Sequence, residues 1–312
     1  MRTKALYCLR TYLRSAQMAL RYWAVIVILG IGWGMSFMFN AVLLRELAPL
    51  WVSVGRVGLG ALGCWMFLLA RGRDWRISPA RALALAGFGA LSYAIPFSFY
   101  AIGQQHIASG VAGIVNACTP ALAVVVTHFW PGGERANWRK SLGVGAGLAG
   151  IVILSLPILQ SGQSSAIWAV FVTLGAPLCY AFSVNVARQF RDMEPVVLVA
   201  WALSGATAFI LPVAFWVEGA PQALTAQAWG ALLVIGFALT SAAFIAMYWV
   251  LPKVGPTNVT LPTLIAPASA LTLGVLVLGE PLEISHLTGL SAILFGLLLI
   301  DGRLFKSRVP AV

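Results

Sequence analysis

The sequence predicts an all-α integral membrane protein with ten transmembrane helices, arranged as two five-helix repeats of inverted topology. Three observations lead to this fold class: an apolar composition, ten hydrophobic stretches of spanning length, and an internal repeat of about half the chain. Of the 312 residues, 60% are hydrophobic and only 9% are charged. About a quarter of the residues in soluble proteins are charged. The lipid bilayer is therefore the expected solvent.

Ten stretches are long and apolar enough to cross the hydrocarbon core, which takes about 20 helical residues. They are residues 22–44, 49–70, 80–102, 108–129, 138–157, 166–187, 195–217, 227–251, 256–278 and 285–302. The intervening loops are short, so we expect no soluble domain. Residues 1–21 form a basic segment before the first span, and residues 303–312 form a short tail. The basic segment is either an amphipathic helix on the membrane surface or an extension that precedes a start at Met18.

The distribution of Lys and Arg orients the spans, because these residues favour cytoplasmic loops. If the N-terminus is cytoplasmic, all but two of the 20 basic residues lie in cytoplasmic segments, the exceptions being Arg45 and Arg56. This pattern predicts a multi-pass membrane protein with both termini in the cytoplasm. The formal charge of +11 does not indicate nucleic-acid binding, because the cations are spread over short loops instead of one soluble face.

The chain aligns with itself at an offset of about 146 residues. Residues 23–40 match residues 168–185 at eight positions. Other matched pairs are Pro49 with Pro195, Pro120 with Pro267, Glu134 with Glu280, Gly143 with Gly289, and Gly150 with Gly296. The repeats are residues 22–157 and 166–302. Because each contains an odd number of spans, the second enters the membrane from the opposite side, a plan common among secondary transporters with a site at the midplane.

Several motifs accompany the repeat. They are Trp33-Gly34 and Asn40 in the first span, Arg56 in the second, Pro120 followed by Glu134-Arg135, and Pro267 followed by Gly279-Glu280-Pro281. In these residues the chain resembles the EamA-type transporters of the drug/metabolite transporter superfamily, from Trp23 to Asp301. The resemblance implies transport of small organic metabolites through a cavity lined by the first, third, fourth, sixth, eighth and ninth helices. Within that superfamily the chain looks most like bacterial amino-acid exporters that accept aromatic substrates, which implies a location in a bacterial cytoplasmic (inner) membrane.

The predicted function is therefore secondary transport of small organic metabolites, foremost the export of amino acids, by alternating access. Two alternatives stay open: a broad-specificity drug or metabolite efflux carrier, and a channel. The sequence contains no GxSxG, HExxH or aspartate-rich motif, so we do not expect an enzyme. Its four cysteines are scattered without a CxxC pair, and we expect neither a metal site nor a cofactor.

The candidate substrate-binding residues are polar and aromatic side chains, most of them near the midplane of the implied cavity helices. They are Trp33, Ser36, Asn40, Tyr93, Tyr100, Asn116, Thr119, Tyr180, Asn185, Thr240 and Ser241, together with Thr263. Tyr100 and Asn258 lie closer to the mouths of the cavity, where gating is a second expected role. Aromatic faces can hold an apolar side chain while polar tips bind a head group. The alternative role for the Ser, Thr and Asn residues is hydrogen bonding between helices.

Arg56 is the one charge placed within a span, where burial costs up to about 3 kcal/mol on insertion scales. It either binds an anionic group such as a carboxylate or tethers helix carbonyls. The second repeat has Ala202 at this position, and Leu178 where the first has Trp33. We therefore expect asymmetric substrate contacts at Arg56 and Trp33.

Prolines within spans, acidic residues at helix ends and small residues also have expected roles. The expected hinges, or static kinks, are Pro96, Pro120, Pro177 and Pro267. Glu134 and Glu280 are expected to pair with loop cations or to cap helix N-termini. Gly143 and Gly147 either mediate a homodimer or pack inside one monomeric bundle. No Asp or Glu lies deep in a span, which predicts flux down the substrate gradient or weak proton coupling.

Overall fold

The computed structural model describes the backbone of residues 2–160, 164–254 and 261–301, and the side chains of residues 20–157, 167–254 and 261–301. Within these ranges the regular elements are ten long helices and no strand. We number them in chain order: α1 Arg2–Leu43, α2 Pro49–Ala70, α3 Pro79–Gly103, α4 Ser109–Phe129, α5 Trp138–Gln160, α6 Ser164–Val186 with a 3₁₀ turn at Ala187–Phe190, α7 Pro195–Glu218, α8 Ala226–Val254, α9 Pro262–Leu278 and α10 Ile284–Asp301.

Nine of the described helices are long and apolar enough to cross a membrane, and α9 is shorter. Residues 255–260, where the predicted ninth span begins, lie outside the described residues. The prediction of an all-helical membrane protein is confirmed. The basic N-terminal segment continues into the first span, because α1 is one helix of 42 residues. Its side chains before residue 20, and the tail at residues 302–312, lie outside the described residues.

Local sequence signals set several helix starts. Pro49 and Pro195 occupy the first turns of α2 and α7, where the fixed φ of proline suits a helix and its missing N–H costs nothing. Ser78 and Thr225 cap α3 and α8, each accepting a hydrogen bond from a backbone N–H three residues later. Helix α9 ends at Gly279, whose φ of 70° lies in the left-handed region that glycine adopts without strain.

Small residues let the helices approach closely. A β-carbon added to Gly143 on α5 would meet the carbonyl oxygen of Gly296 on α10, and one added to Gly147 would lie 3.2 Å from the Ala121 β-carbon on α4. The Gly143 and Gly147 pair therefore packs inside the bundle, the second of its two expected roles. A dimer built through Gly143 would have to displace α10.

The helix neighbours occur in matched sets. Helix α2 packs on α8 and α7 packs on α3, while α1 packs on α9 and α6 packs on α4. In each set, the helices of the second contact occupy the same places in the two repeats as the helices of the first, since their numbers differ by five. The remaining large contacts include α5 with α10, α2 with α7 and α4 with α9. Each of these joins helices five apart in the chain.

Two helices contain π-helical turns at mid-length, Ala90–Ala94 in α3 and Val234–Ala242 in α8. The turns occupy equivalent places in the two halves, because Tyr93 and Thr240 are 147 residues apart, close to the repeat offset. A π turn is rare and often marks a functional site. These two turns were not among the features predicted from the sequence.

One end of the bundle carries the loops with Arg71, Arg135 and Arg188, and we call it the basic end. At the opposite end, three carboxylates bind backbone N–H groups of distant segments. Glu218 accepts from Leu50 at 3.0 Å, Glu280 from Ser109 at 2.7 Å, and Glu46 from Thr225 at 2.9 Å. Each bond satisfies a donor at or next to a helix N-terminus and complements its partial positive charge. The opposite end is thus tied together by contacts between loops and helix starts.

Two acids of the basic end make ion pairs instead. Arg81 donates to Asp192, and Lys140 donates to Glu134. Of the two expected roles, Glu134 therefore pairs with a cation, although Lys140 lies in the first turn of α5 and not in a loop, and Glu280 caps a helix. The hydrogen bond from Arg81 lowers the pKa of Asp192, and those from Thr225 lower the pKa of Glu46. Since these carboxylate pKa values are lowered, both contacts are present at neutral pH. They are lost as the pH falls through the lowered pKa values.

Candidate functional site

A cavity of about 310 Å³ lies at the centre of the bundle, within the size range of small-molecule sites. All six helices implied by the resemblance contribute to it, and α2 adds Arg56. The lining residues are Trp33, Ser36, Phe37, Arg56, Phe88, Ser92, Tyr93, Phe97, Tyr100, Asn116, Thr119, Tyr180, Ser183, Val184, Ala187, Leu239, Phe244, Thr263 and Ala266.

The cavity extends towards the basic end. Its lining reaches Val184, whose side chain is 54% exposed, and Ala187, which directly precedes Arg188. On the other side of the midplane the lining stops at Phe37 and Tyr100, which are both buried. The lining therefore extends farther towards the basic end than towards the opposite end.

Contacts between α1, α3 and α4 close the opposite end. The Tyr100 hydroxyl donates to Asn116 Oδ1 at 2.6 Å, and its ring stands edge-on to Phe37 at 5.1 Å between centroids. Farther out, Asn40 Nδ2 donates to Gln104 Oε1 at 3.2 Å, and Gln104 Nε2 donates to the Phe37 carbonyl at 2.8 Å. These bonds satisfy both polar atoms of the buried Gln104 side chain, whereas Asn40 Oδ1 is buried without a hydrogen-bond partner among the described residues.

Arg56 is buried against the cavity, with only 7% of its surface exposed. Its Nε donates to Thr240 Oγ1 and its Nη2 donates to Ser36 Oγ, both at 3.3 Å. Its guanidinium carbon lies 3.8 Å from the centroid of the Phe97 ring, a cation–π contact. Two hydroxyls and one ring face thus hold the guanidinium.

None of these partners carries a negative charge. Within the described residues, no Asp or Glu lines the cavity, and neither of the ion pairs includes Arg56. Its hydrogen bonds go to side-chain hydroxyls, so the described partners include none of the helix carbonyls that a tether would bind. A buried cation needs a countercharge to offset its desolvation. The cavity is therefore positively charged and suited to an anionic group.

Aromatic side chains form a connected row along the cavity. The Phe97 ring lies 6.1 Å from Tyr93, Tyr93 lies 5.4 Å from Phe244, and Phe244 lies 6.2 Å from Trp33. We call these four residues the aromatic row. It begins at the ring beneath Arg56 and provides an apolar wall beside the charge.

Most of the candidates from the sequence meet at this cavity. The candidates in the lining are Trp33, Ser36, Arg56, Tyr93, Tyr100, Asn116, Thr119, Tyr180 and Thr263. Neither Leu178 nor Ala202, which the second repeat has in place of Trp33 and Arg56, belongs to the lining. The two asymmetric positions of the first repeat therefore both face the cavity.

Four other candidates lie outside the lining and bond to neighbouring helix groups. Asn40 bonds to Gln104 as above, and Asn185 Nδ2 donates to Thr127 Oγ1 at 3.0 Å. Ser241 Oγ donates to the carbonyl of Phe237, and Thr240 holds Arg56. Asn258 lies outside the described residues.

The four prolines adopt different local structures. Helix α4 is interrupted at Ala117 and Cys118, and Pro120 lies in the first turn of its second part, which begins at Thr119. Pro267, its counterpart in the repeat, lies inside an uninterrupted helix, as does Pro177. Pro96 lies two residues after the π turn of α3. The sequence repetition of Pro120 at Pro267 therefore does not produce the same helix break.

Sequence reasoning missed ten residues of the lining, among them Phe97 and Phe244, and it also missed Gln104 at the closed end. A signal for two of them was present, because Phe97 and Phe244 are 147 residues apart, the same offset that relates Pro120 to Pro267. Gln104 is not repeated, and only the packing of α3 on α1 reveals its role.

The sequence matches the EamA-like transporter family over residues 21–156 and again over residues 167–301. The chain belongs to this family. The matched segments begin and end within one residue of the two predicted repeats. As an EamA transporter, the protein is a multi-pass membrane protein that acts on small-molecule substrates, and the transporter part of the sequence prediction is confirmed.

Two relatives extend over nearly the whole chain. An uncharacterized transporter of Archaeoglobus fulgidus is 23% identical over 285 residues, which cover 90% of this chain and 99% of that protein. The uncharacterized transporter YvbV of Bacillus subtilis is 23% identical over 294 residues, covering 92% and 94%. Neither name states a substrate.

A solved structure titled "Crystal structure of protein" has a similar fold. It superposes with a TM-score of 0.64 at 18% sequence identity, covering 89% of this chain and 96% of that one. At this identity the similarity concerns the fold of the EamA transporter alone.

Proposed function

We propose that this EamA transporter exports small carboxylates, foremost amino acids with apolar or aromatic side chains, by alternating access. One observation carries the proposal: the buried guanidinium of Arg56 lies against the cavity without an acidic partner among the described residues. A carboxylate would supply the missing charge through charge-assisted hydrogen bonds. The aromatic row would receive the apolar side chain of the same molecule.

The proposed cavity also has groups for an ammonium. The rings of Tyr100 and Tyr180 both line it, with centroids 6.3 Å apart. Aromatic ring faces attract cations, so an amino acid could place its ammonium near them. A zwitterion would then add no net charge to the bundle.

We further propose that the two repeats are inverted and exchange conformations, opening the cavity alternately to either side. The matched sets of helix neighbours and the double family match support this arrangement. By the positive-inside rule, the basic end would be cytoplasmic. The present conformation, with its cavity extending to that end, would then be the one that loads substrate for export.

A broad-specificity efflux carrier is the second candidate, and the aromatic-rich lining favours it. The charge of Arg56 separates the two functions. A neutral or cationic drug would leave the buried guanidinium uncompensated, whereas a carboxylate would pair with it.

A competition panel in proteoliposomes tests the proposal. We expect saturable uptake of labelled L-phenylalanine that other amino acids inhibit. Their carboxamides, which lack the negative charge, should inhibit about tenfold more weakly. Cationic drugs and nucleotide sugars serve as the comparison classes. Equal inhibition by acids and carboxamides, or uptake of a cationic drug without uptake of phenylalanine, would contradict carboxylate recognition and favour the efflux carrier.

A further inference from the structure

We propose that Thr240 is a specificity-determining positioning residue, and that the π turn of α8 places its hydroxyl to fix the guanidinium of Arg56. The inference that Thr240 positions Arg56 rests on geometry alone. Its effect on transport rests on the proposed function, because it requires that Arg56 receive the substrate carboxylate.

The hydrogen bonds of Thr240 have a defined direction. Its Oγ1 donates to the carbonyl of Ile235 at 2.8 Å, five residues earlier, which is the spacing of a π turn. A hydroxyl has a single proton to donate. Since that proton goes to Ile235, the oxygen is left as an acceptor for Arg56 Nε. Thr240 is fully buried, so water does not compete for this bond.

Ser36 holds the guanidinium in the same way from α1. Its Oγ donates to the Gly32 carbonyl at 3.4 Å and accepts from Arg56 Nη2 at 3.3 Å. The guanidinium is planar, so two bonds in its plane and a ring against its face define its orientation. Within the described residues, Nη1 has no hydrogen-bond acceptor. Nη1 is therefore the guanidinium nitrogen that is available to a substrate.

Close packing between α8 and α2 brings Thr240 within reach. A β-carbon added to Gly60 would lie 2.7 Å from Thr240 Cγ2, and one added to Gly236 would overlap the Leu59 side chain. Gly60 follows Arg56 by four residues, one helical turn along the same face. The absence of side chains at these glycines therefore lets the π turn approach Arg56.

The equivalent π turn in α3 also contributes to the cavity. Tyr93 stands at the position equivalent to Thr240 and lines the cavity as part of the aromatic row. Each π turn thus serves the same site. The turn of α3 supplies an apolar wall, and that of α8 orients the charge.

Thr240→Val tests the proposal, because valine keeps the shape of threonine and removes the hydroxyl, while Thr240→Ser keeps the hydroxyl. We would measure two quantities on reconstituted full-length protein. The first is the rate at which phenylglyoxal, an arginine-selective reagent, modifies Arg56, followed by peptide mass spectrometry with exposed Arg45 as the internal reference. The second is the KM and maximal rate of L-phenylalanine uptake.

For Thr240→Val we expect modification of Arg56 to accelerate several-fold relative to Arg45. We also expect KM to rise about tenfold with little change in maximal rate. Thr240→Ser should restore both values, which general damage to packing would not allow. A wild-type rate of Arg56 modification in Thr240→Val would overturn the positioning role of Thr240. Faster modification with an unchanged KM would retain that role and contradict carboxylate binding at Arg56. Ser36→Ala should accelerate modification as well, and gives a second reading should Thr240→Val fail to fold.

Discussion

Replacing Arg56 by glutamine is expected to lower the transport of carboxylates about a hundredfold while the yield of folded protein stays near that of the wild type. The substitution removes the only cation in the cavity lining, as far as the described residues show. Folding should tolerate it, because a buried charge without a counterion is costly and the glutamine amide can still bond to Ser36 or Thr240. Uptake of L-phenylalanine by equal amounts of reconstituted protein measures the effect.

Two further variants make this result specific. Arg56→Lys keeps the charge without the planar fork, so we expect an intermediate rate. Arg45→Gln removes an exposed cation of a neighbouring loop and should transport like the wild type. Loss of folded yield in Arg56→Gln would indicate that Arg56 is a structural tether. Folded Arg56→Gln with the wild-type rate for carboxylates would contradict the role of Arg56 in substrate binding.

Replacing Gly89 by valine is expected to have the largest effect on stability. Gly89 lies where α3 crosses α7, and an added β-carbon would overlap the backbone carbonyl of Ala202. Neither helix backbone can move aside as a flexible side chain could. We expect a loss of about 3 kcal/mol or more, seen as a lower thermal transition in detergent and a smaller yield of monodisperse protein.

Gly87→Val is the matched control for this contact. Gly87 lies on the same helix, two residues away, and an added β-carbon would meet nothing within 4 Å. The two variants change helix propensity equally, so their difference isolates the contact with α7. Equal thermal transitions for the two variants would show that α3 and α7 are not packed as described.

The spans could be predicted from the sequence because their limits are set by local chemistry. Helix α2 has the predicted bounds, since Pro49 begins it and polar Arg71 follows its last residue. The burial of Arg56 was predicted for the same reason, from an isolated charge in an apolar run. Its partner Thr240 could not be predicted, because 184 residues separate them in the chain and only tertiary packing brings them together.

The side chains that face the cavity could be predicted only in part. The position of a residue within a span gives its depth, but not which side of the helix faces the cavity. Asn40 and Asn185 lie on predicted cavity helices and yet bond to neighbouring groups. The π turns add to this uncertainty, because an inserted residue rotates everything that follows. Val234–Ala242 contains no proline that would have indicated the irregularity.

Counterflow in proteoliposomes tests most directly whether this EamA transporter is a carrier for carboxylates. Vesicles loaded with unlabelled L-phenylalanine are diluted into a trace of labelled phenylalanine, with no ion or pH gradient. A carrier with alternating access should accumulate the label transiently above its external concentration, with a rate that saturates and with loss of the overshoot in Arg56→Gln. Label that merely equilibrates, at a rate proportional to concentration, would contradict a carrier and indicate a channel.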